Sequence, residues 1–363
     1  MPSLFDPIDL SPALKLPNRI LMAPLTRGRA TKEAVPTDLQ RDYYAQRAGA
    51  GLIISEATGI SREGLGWPYA PGLWGADQVE GWKPVVAAVH EAGGRIVAQL
   101  WHMGRIVPTG VSGMPAVSAS AVRNDALGHS YGGKEPYPEP RAASLDDIER
   151  IIGDYASAAR KAIAAGFDGV QIHAANGYLI DQFLRDGTNH RDDDYGGSID
   201  NRLRFMSEVV EAVVAEVGID RTGIRLSPVG ESQGCNDSDN HALFTAAAAR
   251  LEELKVPWIE LREPGPHSTF RATEEPPASP SMRKVYSGKM VLNSDYDDGN
   301  AQTTLDAGVA DAISFGRTFI ANPDLPERLR VGAALNAWNG KTFYSQGPEG
   351  YVDYPRLAEQ AAG

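Results

Sequence analysis

Apolar and polar positions follow two periods that take turns along this chain. Short runs rich in aliphatic and β-branched residues fall at 19–24, 51–57, 95–101, 169–173, 223–227, 258–262, 290–293 and 312–316. Their length and near-continuous apolar character predict strands buried on both faces. Between them lie longer stretches whose apolar residues recur at steps of three and four, among them 78–92, 145–165, 201–217 and 238–254. These predict amphipathic helices. Strand and helix in alternation predict βα units and a parallel sheet. Eight such units predict one α/β domain over residues 1–363, closed into a (β/α)8 TIM barrel. An open doubly wound sheet is the competing architecture, but its Gly-rich turn is missing. The first run ends Pro24-Leu25-Thr26-Arg27, with no G-x-G-x-x-G.

Three connections exceed ordinary loop lengths. Residues 103–144, rich in Gly, Pro and Ser, predict a capping excursion over the third strand. Residues 179–198 separate the fourth strand from its helix, and 263–280, with five prolines, predict an ordered but irregular flap. All three follow strands, which in a barrel puts them on the catalytic face.

Composition narrows the partners. The net charge is −12 and no block of Lys or Arg occurs, so neither nucleic acid nor an anionic membrane is expected. No run of about 18 apolar residues exists, which predicts no membrane span. The N-terminus, Met1-Pro2-Ser3-Leu4-Phe5-Asp6, has neither the basic nor the apolar region of a signal peptide. A single cysteine, Cys235, excludes an internal disulfide and a cysteine-held iron–sulfur cluster. A cytoplasmic monomer or homodimer is the expectation.

The densest chemistry is His173-Ala174-Ala175-Asn176-Gly177-Tyr178, directly after the fourth strand. It gathers an imidazole, a carboxamide and a phenol, which together can hold a carbonyl oxygen and offer a proton. A satisfied polar pair without a ligand is the plain alternative for His173 and Asn176. Gln99 and Trp101 face one side of the third strand by period two, an amide and an indole suited to a flat heteroaromatic ligand. Arg225 interrupts an apolar strand, so it must pair internally or face an anion. Asn293-Ser294-Asp295 and Gly316-Arg317 end the seventh and eighth strands, where this architecture builds its phosphate cradle. No metal is expected, since His190 with Asp192, Asp193 and Asp194 falls in a polar loop without helical ligand spacing. There is no G-x-S-x-G, and no base lies near Cys235 in sequence.

Taken together, the segments at 18–26, 53–61, 98–105, 173–184, 191–202 (Arg-Asp-Asp-Asp-Tyr-Gly-Gly-Ser-Ile-Asp-Asn-Arg), 225–228, 310–324 and 350–355 make the chain resemble the Old Yellow Enzymes. These are FMN-dependent ene-reductases, and the likeness is closest to the bacterial members. The resemblance implies non-covalent FMN, with NADPH or NADH as reductant and small activated alkenes as substrates. It implies that Pro24, Leu25, Thr26, Ala57 and Gln99 line the flavin, that Arg225 faces its N1 and C2 carbonyl, and that Ser294, Asp295, Gly316 and Arg317 hold its phosphate. It further implies that His173 and Asn176 bind the oxygen of an α,β-unsaturated carbonyl or nitroalkene, and that Trp101 and Tyr344 shape the pocket. Hydride would then reach the β-carbon, and Tyr178 would protonate the α-carbon. One departure is Leu292-Asn293-Ser294-Asp295-Tyr296, where many members carry a Gly-rich turn. The competing activity is that of a barrel lyase or isomerase acting on a phosphorylated substrate, with Arg317 on the phosphate and His173 as base.

Overall fold

The computed structural model describes residues 2–269 and 271–360. Eight parallel strands form its centre: β1 (Ile20–Met22), β2 (Leu52–Ile54), β3 (Ile96–Trp101), β4 (Gly169–His173), β5 (Thr222–Leu226), β6 (Trp258–Arg262), β7 (Lys289–Asn293) and β8 (Ala312–Phe315). Each pairs with the next, β8 pairs with β1, and β3 pairs with β4, so the sheet closes on itself as a barrel. All eight predicted runs are strands.

Helices α1 (Asp38–Gln46), α2 (Ala76–Glu91), α3 (Leu145–Ala164), α4 (Ile199–Val217), α5 (Asn240–Glu253), α6 (Ser279–Arg283), α7 (Asp298–Asp306) and α8 (Leu325–Val331) follow the strands in turn. Side-chain caps fix where several of them start. Ser144, Ser198 and Asp239 accept from the backbone N–H groups of Asp147, Asn201 and Ala242, satisfying donors that the first helical turn leaves open. Pro280 stands in the first turn of α6, where its missing N–H costs nothing.

Strand register sorts side chains into an outer and an inner set. Ile53, Ala98, Leu100, Ile172, Ile224, Ile259, Met290 and Ile313 pack outward against the helices. Leu21, Leu52, Ile54, Val97, Trp258, Val291 and Ala312 point inward and fill the N-terminal end of the barrel. An antiparallel hairpin, Ile8–Asp9 with Lys15–Leu16, closes that end and adds Ile8, Leu10, Leu14 and Leu16 to the same cluster. Gly223 makes room for the Trp258 indole, since a Cβ there would lie 2.1 Å from the ring.

The long connections carry structure of their own. Residues 103–144 include an antiparallel pair, Leu127–Ser130 with Gly133–Pro136, and a short parallel ladder, Val117–Ser118 with Arg141–Ala142. The 179–198 connection opens with a helix over Leu179–Leu184. No helix among the described residues is long and apolar enough to cross a membrane.

Candidate active site

Above the apolar layer the barrel interior turns polar. Gln99 Nε2 donates to Gln171 Oε1 at 2.7 Å, Gln171 Nε2 donates to Glu260 Oε2 at 2.9 Å, and Ser314 Oγ donates to Glu260 Oε1 at 2.5 Å. This chain crosses the barrel and is wholly buried. Burying a carboxylate requires a cation, and Arg225 supplies it, with Nη1 at 3.5 Å from Glu260 Oε2. Arg225 Nη2 also donates to Asn293 Oδ1 at 2.6 Å. Of the two possibilities left open for Arg225, the internal carboxylate partner is present, and the same residue also lines the cavity at the strand ends.

That cavity has a volume of about 500 Å³. It gathers every residue singled out in the sequence: Pro24, Leu25, Thr26, Ala57, Gln99, Trp101, His173, Asn176, Tyr178, Arg225, Ser294, Asp295, Gly316, Arg317 and Tyr344. They come from the ends of seven strands and from the C-terminal segment, so only barrel closure brings them together.

His173, Asn176 and Tyr178 are held by the turn after β4. Asn176 and Gly177 take the left-handed conformation, at φ 59° and 78°, which Asn and Gly tolerate best. The Asn176 N–H donates to Ser227 Oγ at 2.7 Å and the Gly177 N–H to Asp181 Oδ2 at 2.8 Å, while Asp181 forms a buried ion pair with Arg185 at 2.9 Å. A Cβ at Gly177 would lie 2.3 Å from the Ser232 carbonyl oxygen. Gly177→Ala is therefore expected to cost about 2–3 kcal/mol, from backbone strain plus the clash, and to weaken ligand binding at Asn176. A urea midpoint equal to wild type would show that the turn yields freely.

The imidazole of His173 is neutral. Burial and the nearby Arg225 cation hold its pKa well below the ordinary range. Its Nδ1 accepts the Ala175 N–H at 3.3 Å, so the proton sits on Nε2. His102 is also buried neutral, its pKa pushed down to about 3 by burial. Unfolded imidazoles titrate near about 6.5, so on acidification the unfolded chain takes up these protons first. Stability from both groups is full above about pH 6.5 and is lost as pH falls. Between pH 7 and pH 5 the two together remove about 4 kcal/mol, which urea unfolding at the two pH values will read.

Tyr178 is half-buried and meets the Trp101 and His173 rings edge-on, at 4.9 and 5.0 Å between centroids. Burial raises its pKa above that of an ordinary phenol, which keeps it protonated. Tyr344 stands at the rim, 53% exposed and 4.9 Å from Trp67. Its backbone neighbours are clamped from below: Arg27 Nε donates to the Phe343 carbonyl at 3.0 Å, and Arg29 Nη2 to the Thr342 carbonyl at 2.9 Å.

Asp295 does not turn away from the cation beside it. Its carboxylate pairs with Arg317 at 2.8 Å and accepts from the Thr269 N–H and Oγ1 at 2.7 and 2.8 Å. Sequence reasoning missed several other lining residues, namely Arg27, Trp67, Gln233, Arg262, Arg271 and Trp338. Of these, Arg262 had a legible signal: it is an arginine at the C-terminal end of a predicted strand, Trp258–Arg262.

A closed barrel whose C-terminal face gathers a neutral histidine, an asparagine, a half-buried phenol and an arginine around one cavity suits either a barrel oxidoreductase or a lyase. Comparison decides between the two. Residues 3–336 match the NADH:flavin oxidoreductase / NADH oxidase family, and the chain belongs to that family. Among solved structures, the old yellow enzyme homologue from Zymomonas mobilis is 57% identical, with a TM-score of 0.97 over 98% of this chain and all of that one. Morphinone reductase is 46% identical, with a TM-score of 0.94 over 99% of this chain and 97% of its own. A putative 12-oxophytodienoate reductase 5 from Oryza sativa subsp. japonica is 41% identical over 95% of this chain and 92% of its own length. The protein is thus an NAD(P)H-dependent flavin oxidoreductase of the Old Yellow Enzyme family, on its bacterial side. The lyase or isomerase alternative falls with that result.

Proposed function

We propose that the protein is an FMN-dependent ene-reductase acting on α,β-unsaturated carbonyls or nitroalkenes, with NADPH or NADH as reductant. The carrying observation is the convergence of His173, Asn176, Tyr178 and Trp101 with Arg225 in one cavity. The residues present fit the cofactor. Trp101, Asn176 and Arg225 line the cavity, and their Nε1, Oδ1 and Nε atoms are buried with no hydrogen-bond partner in the protein, a polar set suited to a flat ligand with ring nitrogens and carbonyls. Pro24, Leu25, Thr26, Ala57 and Gln99 would line the ring, and Arg225 would offset negative charge on it. Arg317, with the backbone of Ser294, Asp295 and Gly316, would hold the phosphate. When bound, FMN supplies the hydride that passes from the nicotinamide to the alkene β-carbon.

The protein's own contribution is orientation and proton handling. His173 donates from Nε2 to the substrate oxygen. Asn176 presents its carboxamide beside it, and a half-turn of that group offers its NH₂ in place of Oδ1. Polarising that oxygen makes the β-carbon electrophilic. Trp101 and Tyr344 limit how the substrate lies. Tyr178 gives a proton to the α-carbon. Residues 103–144 and 263–280 form the cap and flap that exclude water.

The direct test is a visible-spectrum titration of the purified protein with para-hydroxybenzaldehyde. Flavin bands joined by a new long-wavelength band are expected, from a phenolate stacked on the flavin and held by His173 and Asn176. Flavin bands without the new band would remove the oxygen-binding pair. A colourless protein that FMN cannot reconstitute would sink the whole reading.

A further inference from the structure

We propose that Gln233 is the positioning residue for Tyr178: its carboxamide holds the phenol at the cavity wall and stabilises the phenolate left when the proton goes to substrate. The inference rests on the proton-donor reading of Tyr178 above.

Gln233 lies in the loop between β5 and α5 and lines the cavity. Its backbone is in the left-handed region, at φ 56°, directly before Gly234 at φ 67°. For a residue with a side chain this conformation costs about 1–3 kcal/mol and persists only where the surroundings impose it. Here they do. Arg105 Nη2 and Asn124 Nδ2 both donate to the Gln233 carbonyl, at 2.9 and 2.5 Å, and Ser232 and Cys235 exchange both backbone hydrogen bonds around it. The strain sets a long polar side chain against the turn that carries Asn176 and Tyr178. Gln233 Nε2 donates to the Asn176 carbonyl at 3.4 Å, and Gln233 lines the same cavity as Tyr178, where its side chain counteracts the rise that burial gives the phenol pKa. An amide nitrogen carries two hydrogens, so one group can serve both.

The proton balance shows why this matters. The Tyr178 O–H bond breaks, a C–H bond forms at the substrate α-carbon, and the electron pair stays on the phenolate oxygen until water reprotonates it. An unsolvated phenolate against Trp101 and His173 would be costly. A donor aimed at that oxygen lowers the cost as charge develops.

The test uses the full-length holoenzyme. Gln233→Leu keeps the volume and removes the donors. Flavin content and reduction by NAD(P)H should stay at wild type. Single-turnover reoxidation by cyclohexenone should slow about 10- to 100-fold, the effect of one hydrogen bond to a charged group, with a larger solvent isotope effect. In a Tyr178→Phe background Gln233→Leu should cost nothing further. An unchanged rate, or a loss that adds fully to that of Tyr178→Phe, overturns the proposal. Should Gln233→Leu fold poorly, Gln233→Glu replaces the donors by an anion beside the phenol, and its reoxidation should slow increasingly as pH rises; a flat profile overturns the proposal too. Unchanged reoxidation in Tyr178→Phe alone, with Gln233 intact, identifies failure of the donor reading itself.

Discussion

Arg225→Ala is expected to leave the purified protein nearly free of flavin and to lower its stability by about 3–5 kcal/mol. The two losses have different causes. Stability falls because Glu260, completely buried at the barrel centre, loses its cation and keeps only neutral donors, Gln171 and Ser314. Retention falls because the cavity loses the guanidinium at its floor, including the buried Nε that has no protein partner. Burial lowers the Arg225 pKa and Glu260 offsets only part of that, so the guanidinium depends on its carboxylate partner as the carboxylate depends on it. Arg225→Ala combined with Glu260→Gln removes the stranded charge. That double variant should regain most of the stability and none of the flavin. The ratio of flavin to protein absorbance and the urea midpoint read the two effects separately. Wild-type flavin content in the single variant would place Arg225 away from the cofactor and leave it a structural ion pair.

The Arg225–Glu260 pair also marks what the sequence could and could not disclose. Strands of a closed parallel barrel are buried on both faces, so they stand out as unbroken apolar runs, and all eight were legible. The four helices named from apolar periodicity end within a few residues of the observed α2, α3, α4 and α5, where Ser144 and Asp239 are local caps. His173, Asn176 and Tyr178 were legible because one turn carries them all. Arg225 was conspicuous as a charge in an apolar strand, but its partner was not, because only the β5–β6 register places Arg225 opposite Glu260. The N-terminal hairpin escaped because two-residue strands leave no periodicity. Gln233, Arg271 and Trp338 escaped because they sit in irregular segments whose course is set by tertiary contacts. At Asp295 the departure from a Gly-rich turn was visible, while its commitment to Arg317 and Thr269 depends on how the 263–280 flap folds back.

Tyr178→Phe should slow reoxidation of the reduced protein by cyclohexenone about 10²- to 10⁴-fold, the usual worth of a positioned general acid, while reduction by NAD(P)H proceeds at the wild-type rate. The substitution is narrow. It removes one oxygen and keeps the ring that packs edge-on against Trp101 and His173, so the oxygen-binding pair stays in place and para-hydroxybenzaldehyde should still give its long-wavelength band. Wild-type reoxidation should be flat with pH from about 6 to 9, because burial raises the phenol pKa and the donor stays protonated throughout. His173 does not titrate in that window either, since burial and Arg225 hold it neutral. Rapid mixing of reduced protein with cyclohexenone, run with the wild type and Tyr178→Phe at several pH values, measures all of this. Equal rates would mean that water protonates the α-carbon and that the phenol merely shapes the pocket. A slowed rate with an intact charge-transfer band would assign the proton to Tyr178.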